Sequence, residues 1–146
     1  MKHFVLAAII SAALATPVLA IDGSSAEGGR KLTATLSGAA EVPGPGDADG
    51  KGTAELRVNP GQGSVCYSVT FSGIDTPSAA HIHTGAAGVA GGVVVPLKVG
   101  AGGAIEGCAG VTREQAMALI QSPETFYVNL HNAAFPGGAI RGQLSK

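Results

Sequence analysis

"TAELRVNPGQGSVCYSVTFSG", residues Thr53–Gly73, decides how the rest of the chain is read. Ala54, Leu56 and Val58 alternate with Thr53, Glu55 and Arg57, the period-two pattern of a strand with one buried face. "NPGQG" (59–63) then combines proline, glycine and asparagine, the residues that reverse a chain. Val65, Tyr67, Val69 and Phe71 resume the alternation on the way back, with Cys66 on the face opposite to that apolar row. Two alternating runs about a short turn predict an antiparallel hairpin.

The pattern extends in both directions. "KLTATLSG" (31–38) alternates Leu32, Ala34 and Leu36 against hydroxyl side chains, and the proline- and glycine-rich "EVPGPGDADGKG" (41–52) follows as a loop. Downstream, "SAAHIHTG" (78–85) and "GGVVVPLKVG" (91–100) read as a fourth and a fifth strand, and "AIEGCAG" (104–110) as an irregular sixth. "VTREQAMALIQSP" (111–123) breaks the rhythm. Thr112 and Gln115 stand at capping-box spacing, Ala116, Met117, Leu119 and Ile120 form an apolar stripe, and Pro123 stops it, so one short helix is expected. "TFYVNLHN" (125–132) and "AIRGQL" (139–144) supply the last strands. The expected fold is all-β: a Greek-key β-sandwich of about eight strands, immunoglobulin-like or superoxide-dismutase-like, carrying one short helix.

The first twenty residues, "MKHFVLAAIISAALATPVLA", place Lys2 and His3 before an apolar run that ends in small side chains, as in a secretory signal peptide cleaved near Ala20. The expected organisation is a signal peptide over 1–20, a flexible segment over 21–30 and one domain over 31–146. The apolar run is short for a membrane span and no later stretch approaches the required length. A soluble protein, secreted or periplasmic, is therefore expected. In an oxidising compartment Cys66 and Cys108, the two cysteines of the chain, are expected to form a disulfide that clips a loop over the outside of a strand. With 9 basic and 10 acidic residues, the chain has no electrostatic footprint for nucleic acid.

Alternation also sorts the polar side chains. Ile82 belongs to the core row, which sends His81 and His83 to the other face; Phe126, Val128 and Leu130 send Tyr127, Asn129 and His131 there too; Ile140 and Leu144 leave Arg141 and Gln143 outside. If the strands are neighbours, His81, His83 and His131 converge, and imidazole suits copper, zinc, iron or nickel. Arg141 and Glu41 are the candidate supports around such a metal site. Asp47, Asp49 and Gly50 superficially match a calcium loop, but the glycine comes early and no glutamate follows at the right distance, so they read as a solvated turn. No serine lies in a Gly-x-Ser-x-Gly elbow, and no catalytic residue is assigned.

Taken in order, "SGAAEVPG", "GTAELRVNPGQGSVCYSVTFSGI", "AAHIHTGAAGVAGGVVVPL" and "FYVNLHNAAFPGGAIRGQL" resemble the CHRD domain, the module named after chordin, from about Lys31 to Leu144. That resemblance implies an extracellular β-sandwich, with growth-factor binding in the animal protein. The order His81, His83, His131, Arg141 is also similar to that of the copper-ligand histidines and functional arginine of copper-zinc superoxide dismutases. The chain offers no further histidine after the leader for a bridging or zinc position, so this likeness implies a three-imidazole copper site without the complete dismutase centre. Three readings follow. The first is a binding module with a transition metal, copper first and zinc second; the next, a structural or adhesive domain whose histidines are hydrogen-bonded; the last, a copper-dependent redox enzyme.

Overall fold

The computed structural model describes residues 28–146. The leader expected over 1–20, and most of the segment expected over 21–30, lie outside the described residues. Among the described residues eight strands are formed: β1 (Arg30–Ser37), β2 (Lys51–Asn59), β3 (Ser64–Ser72), β4 (Ala79–Thr84), β5 (Val93–Leu97), β6 (Ile105–Gly110), β7 (Phe126–His131) and β8 (Ile140–Gln143). One α-helix, α1 (Arg113–Gln121), lies between β6 and β7.

The hairpin of β2 and β3 is in the register expected from its alternation, with Ala54 opposite Val69, Leu56 opposite Tyr67 and Val58 opposite Val65. All the strands join one antiparallel sheet in the order β5-β4-β7-β8-β1-β2-β3-β6. Its end strands β5 and β6 pack against each other, so the sheet curls nearly into a barrel. β6 lies beside β3 and folds back through β5 to β4, which is the Greek-key connection. Pro96, which lacks an N–H, sits in β5 at the end of the order, where a proline costs the ladder least.

Inside the curl lies the core predicted by alternation: Leu32, Leu36, Leu56, Val58, Val65, Ile82, Val128, Leu130, Ile140 and Leu144 are at most 1% exposed. Each such side chain stabilises the fold by about 1.5–3 kcal/mol relative to leaving it in water. Ala116 and Leu119 of α1 join this core. The helix begins as its sequence requires: Thr112 Oγ1 accepts from Gln115 N at 3.1 Å, and Gln115 Oε1 accepts from Thr112 N at 2.9 Å.

Two features differ from expectation. Residues 105–110 form a regular strand, and Cys66 and Cys108 are directly opposed on β3 and β6, so the disulfide ties neighbouring strands and clips no loop. Gly107 and Gly110 conceal the alternation of β6. The outer face of the sheet is also of two kinds. Over β1 and β2 it is an exposed surface on which Thr35 and Thr53 face each other; over β7 and β8 Tyr127, Asn129 and Arg141 are buried, at 4%, 3% and 1% exposure, and over β4 His81 and His83 are half-buried.

Candidate metal centre

β7 is flanked by β4 and β8, and their registers lay two polar rows across the outer face. His81, Asn129 and Arg141 are opposite one another in the first, and His83, Tyr127 and Gln143 in the second. His131, opposite Ala79, lies one diagonal step from His81. Side chains on such a diagonal are within reach of one another. The three imidazoles do converge: one ring nitrogen from each of His81, His83 and His131 lies within 4.8 Å of the others. The closest approach is His81 Nδ1 to His131 Nε2, at 3.2 Å.

Backbone carbonyls set which nitrogens face inward. His83 Nδ1 is 3.0 Å from Gly91 O, and His131 Nδ1 is 3.0 Å from Pro136 O. A carbonyl only accepts, so each Nδ1 holds its proton there and each neutral ring keeps an Nε2 lone pair. His83 Nε2 is buried without any hydrogen-bond partner. His131 Nε2 accepts from His81 Nδ1 in this arrangement. Burial, and after it the neighbouring imidazoles, holds His81 below the ordinary histidine range. His131 is likewise lowered, chiefly by burial, against the opposing hydrogen bond to Pro136.

Neutral rings anchored through their second nitrogens are what metal-bound histidines require. Donors about 2.0–2.1 Å from one ion stand about 3.3–3.5 Å apart, a spacing that His81 and His131 already reach at 3.2 Å and that the whole set, within 4.8 Å, approaches. The donor set suits copper or zinc and offers no carboxylate to calcium or magnesium. These residues therefore fit a transition metal that leaves at least one coordination position open.

Tyr127, unassigned in the sequence, holds the set in place. His83 stacks on its ring at 4.8 Å between centroids and 5° between planes. From the strand on the other side, the Arg141 guanidinium lies 3.4 Å from the same ring centroid, a cation–π contact. Arg141 thus reaches the histidines only through Tyr127. Its Nη2 donates to Ala86 O and Val89 O at 3.0 and 2.9 Å, pinning the β4–β5 loop over the site. Glu41 touches no imidazole: its Oε1 accepts from Asn129 Nδ2 at 2.6 Å. Burial raises the Glu41 carboxyl to about 7, against the lowering influences of the Arg141 charge and the Asn129 hydrogen bond.

Several of these parts were outside the reach of sequence reading. Tyr127 and Asn129 share the histidine face by alternation, which was the available signal. The carbonyls of Gly91 and Pro136 carry none, because any residue supplies one. Gly91 is nonetheless constrained, since a Cβ there would collide with Thr84 O. Asn132, 1% exposed, fixes the turn that presents Pro136 by accepting from Phe135 N at 2.8 Å. Asp47 and Asp49 form the expected local turn, Asp47 Oδ1 accepting from Asp49 N at 3.2 Å.

Comparison with known proteins is consistent with this architecture. No curated protein matched the chain. The model of the CHRD domain matches residues 32–144, which begin in β1 and end just beyond β8, so that His81, His83, His131, the cysteines, Glu41 and Arg141 all lie inside the matched region. The chain belongs to the CHRD-domain family.

Proposed function

We infer that the protein is an exported binding module that captures, stores or delivers a transition metal at His81, His83 and His131, with copper the first metal and zinc the second. The observation that carries this reading is His83 Nε2, a buried ring nitrogen with no hydrogen-bond partner, in an imidazole clustered with two others. An unpartnered buried nitrogen has a cost that an ion would remove. Export is supported by the N-terminal leader pattern and by the Cys66–Cys108 disulfide, a bond that persists in oxidising compartments. Among the described residues no helix is long and apolar enough to cross a membrane.

Loading the purified protein with copper(I), copper(II) or zinc, followed by desalting and elemental analysis, tests the reading. One ion per chain is expected, and His83→Ala or His81→Ala with His131→Ala should abolish retention. Absence of stoichiometric metal, or retention unchanged in these variants, overturns it.

A second reading is favoured by the His81–His131 hydrogen bond and the two carbonyl contacts: a structural or adhesive domain in which the histidines only tie loops to the sheet. Under it the same substitutions lower thermal stability while no metal is retained by the parent protein. The redox-enzyme reading adds a requirement, superoxide or oxidant turnover by the copper-loaded protein, which a dismutase assay measures.

A further inference from the structure

On the side of Tyr127 away from His83, a cleft of about 240 Å³ opens between the β1–β2 loop and the β4–β5 loop. Ala39, Ala40, Glu41, Ala87, Gly88 and Arg141 are among its walls, and no histidine lines it. Arg141 is a fixed cation and is 1% exposed. Its Nη2 is committed to backbone carbonyls, but Nη1 is buried without a partner. No carboxylate forms an ion pair with it; the pair among the described residues is Lys31–Glu55. Glu41, the acid in the same cleft, accepts a short hydrogen bond from Asn129 Nδ2, and burial keeps it partly protonated near neutrality. A buried cation with an idle donor, no ion-pair contact and only the partly ionised Glu41 nearby is costly, and an anion bound at Nη1 offsets that cost.

The walls select among anions. At about 240 Å³ the cleft lies below the usual range for drug-sized ligands, about 300–1,000 Å³. The alanine methyl groups add an apolar lining, while a guanidinium suits the plane of a carboxylate. We propose that this cleft is a binding site for a short-chain aliphatic carboxylate, one oxygen accepting a hydrogen bond from Arg141 Nη1 and the alkyl group lying against Ala39, Ala40 and Ala87. Ala87 and Gly88 are exposed, and a Cβ on Gly88 would meet nothing within 4 Å. A ligand that reaches Nη1 therefore displaces this turn and leaves the sheet in place.

Sodium propionate titrated into chelator-treated protein, followed by amide and arginine side-chain ¹H–¹⁵N spectra against sodium chloride at equal ionic strength, tests the proposal. Saturable shifts are expected at residues 39–41, at Ala87 and Gly88 and at the Arg141 guanidinium, with half-saturation on the order of 1 mM. Ala87→Phe and Ala40→Phe fill the cleft from opposite walls without touching Arg141, and each should weaken binding at least about tenfold, a 1.4 kcal/mol effect. Shifts that fail to saturate, that chloride reproduces, or that persist unchanged in folded Ala87→Phe and Ala40→Phe proteins overturn the proposal. Because the metal is removed first, failure here leaves the histidine reading intact, and failure of metal retention leaves this cleft intact.

Discussion

Glu41 on one side, and His81 and His131 on the other, respond to acid in opposite senses. The Glu41 carboxyl, raised from 4.5 to about 7, binds its proton more tightly in the folded state. Its contribution to stability is therefore most favourable below about pH 4.5 and is lost as the pH rises through about 7. His81 and His131, lowered from 6.5, bind protons less tightly when folded and subtract stability as the pH falls below that value. Glu41→Gln keeps an acceptor for Asn129 and removes only the titration. The variant should exceed the parent by roughly 2–3 kcal/mol in urea unfolding at about pH 8.5 and match it near pH 4.5, the histidine contribution cancelling in the comparison. A variant less stable than the parent at the alkaline end would show that the Arg141 charge outweighs burial at this carboxyl. Gly91 gives a separate test. A side chain there displaces the loop whose carbonyl holds His83 Nδ1, so Gly91→Ala should reduce metal affinity about 10- to 100-fold while the circular dichroism spectrum is retained.

At the scale of strands and loops, the two faces of the sheet were unequally legible. Period-two alternation identified the core because burial on one face demands apolar side chains at every second position, as Leu32, Leu56, Ile82 and Val128 show. It also placed His81, His83, His131 and Arg141 together on the reverse face. It could not tell that this face is covered, because the cover is made of loops. Arg141 has the same alternation signature as an exposed residue, yet it lies under the β4–β5 turn, held there by Ala86 O and Val89 O. Arg141→Met keeps the bulk over Tyr127 and removes those hydrogen bonds. Amide exchange across residues 86–91 should accelerate at least about tenfold, with protection in β1–β3 unchanged. Uniform acceleration throughout the molecule would instead mark Arg141 as a support of the whole sheet.

For the molecule as a whole, the disulfide and the curl of the sheet act on the same problem, holding together strands that are distant in sequence. Cys66 and Cys108 are 42 residues apart, and β4 and β5 lie between them. Closing a loop of that length restricts the unfolded chain by about 4 kcal/mol in the chain-entropy model. The Cys66→Ala, Cys108→Ala protein should lose about that much stability, read from its urea midpoint, and a loss below about 1 kcal/mol would show that the β3–β6 hydrogen bonds suffice. A further long-range closure is β1 against β8, continued by Thr33 against Ser145, whose backbone groups exchange hydrogen bonds of 2.9 and 2.8 Å. The domain thus starts and finishes on adjacent strands, and its chain order is separable from its architecture. A permutant that joins Lys146 to Arg30 through a short glycine linker and opens the chain at Gly102, between β5 and β6, should fold with the same disulfide and the same three imidazoles side by side.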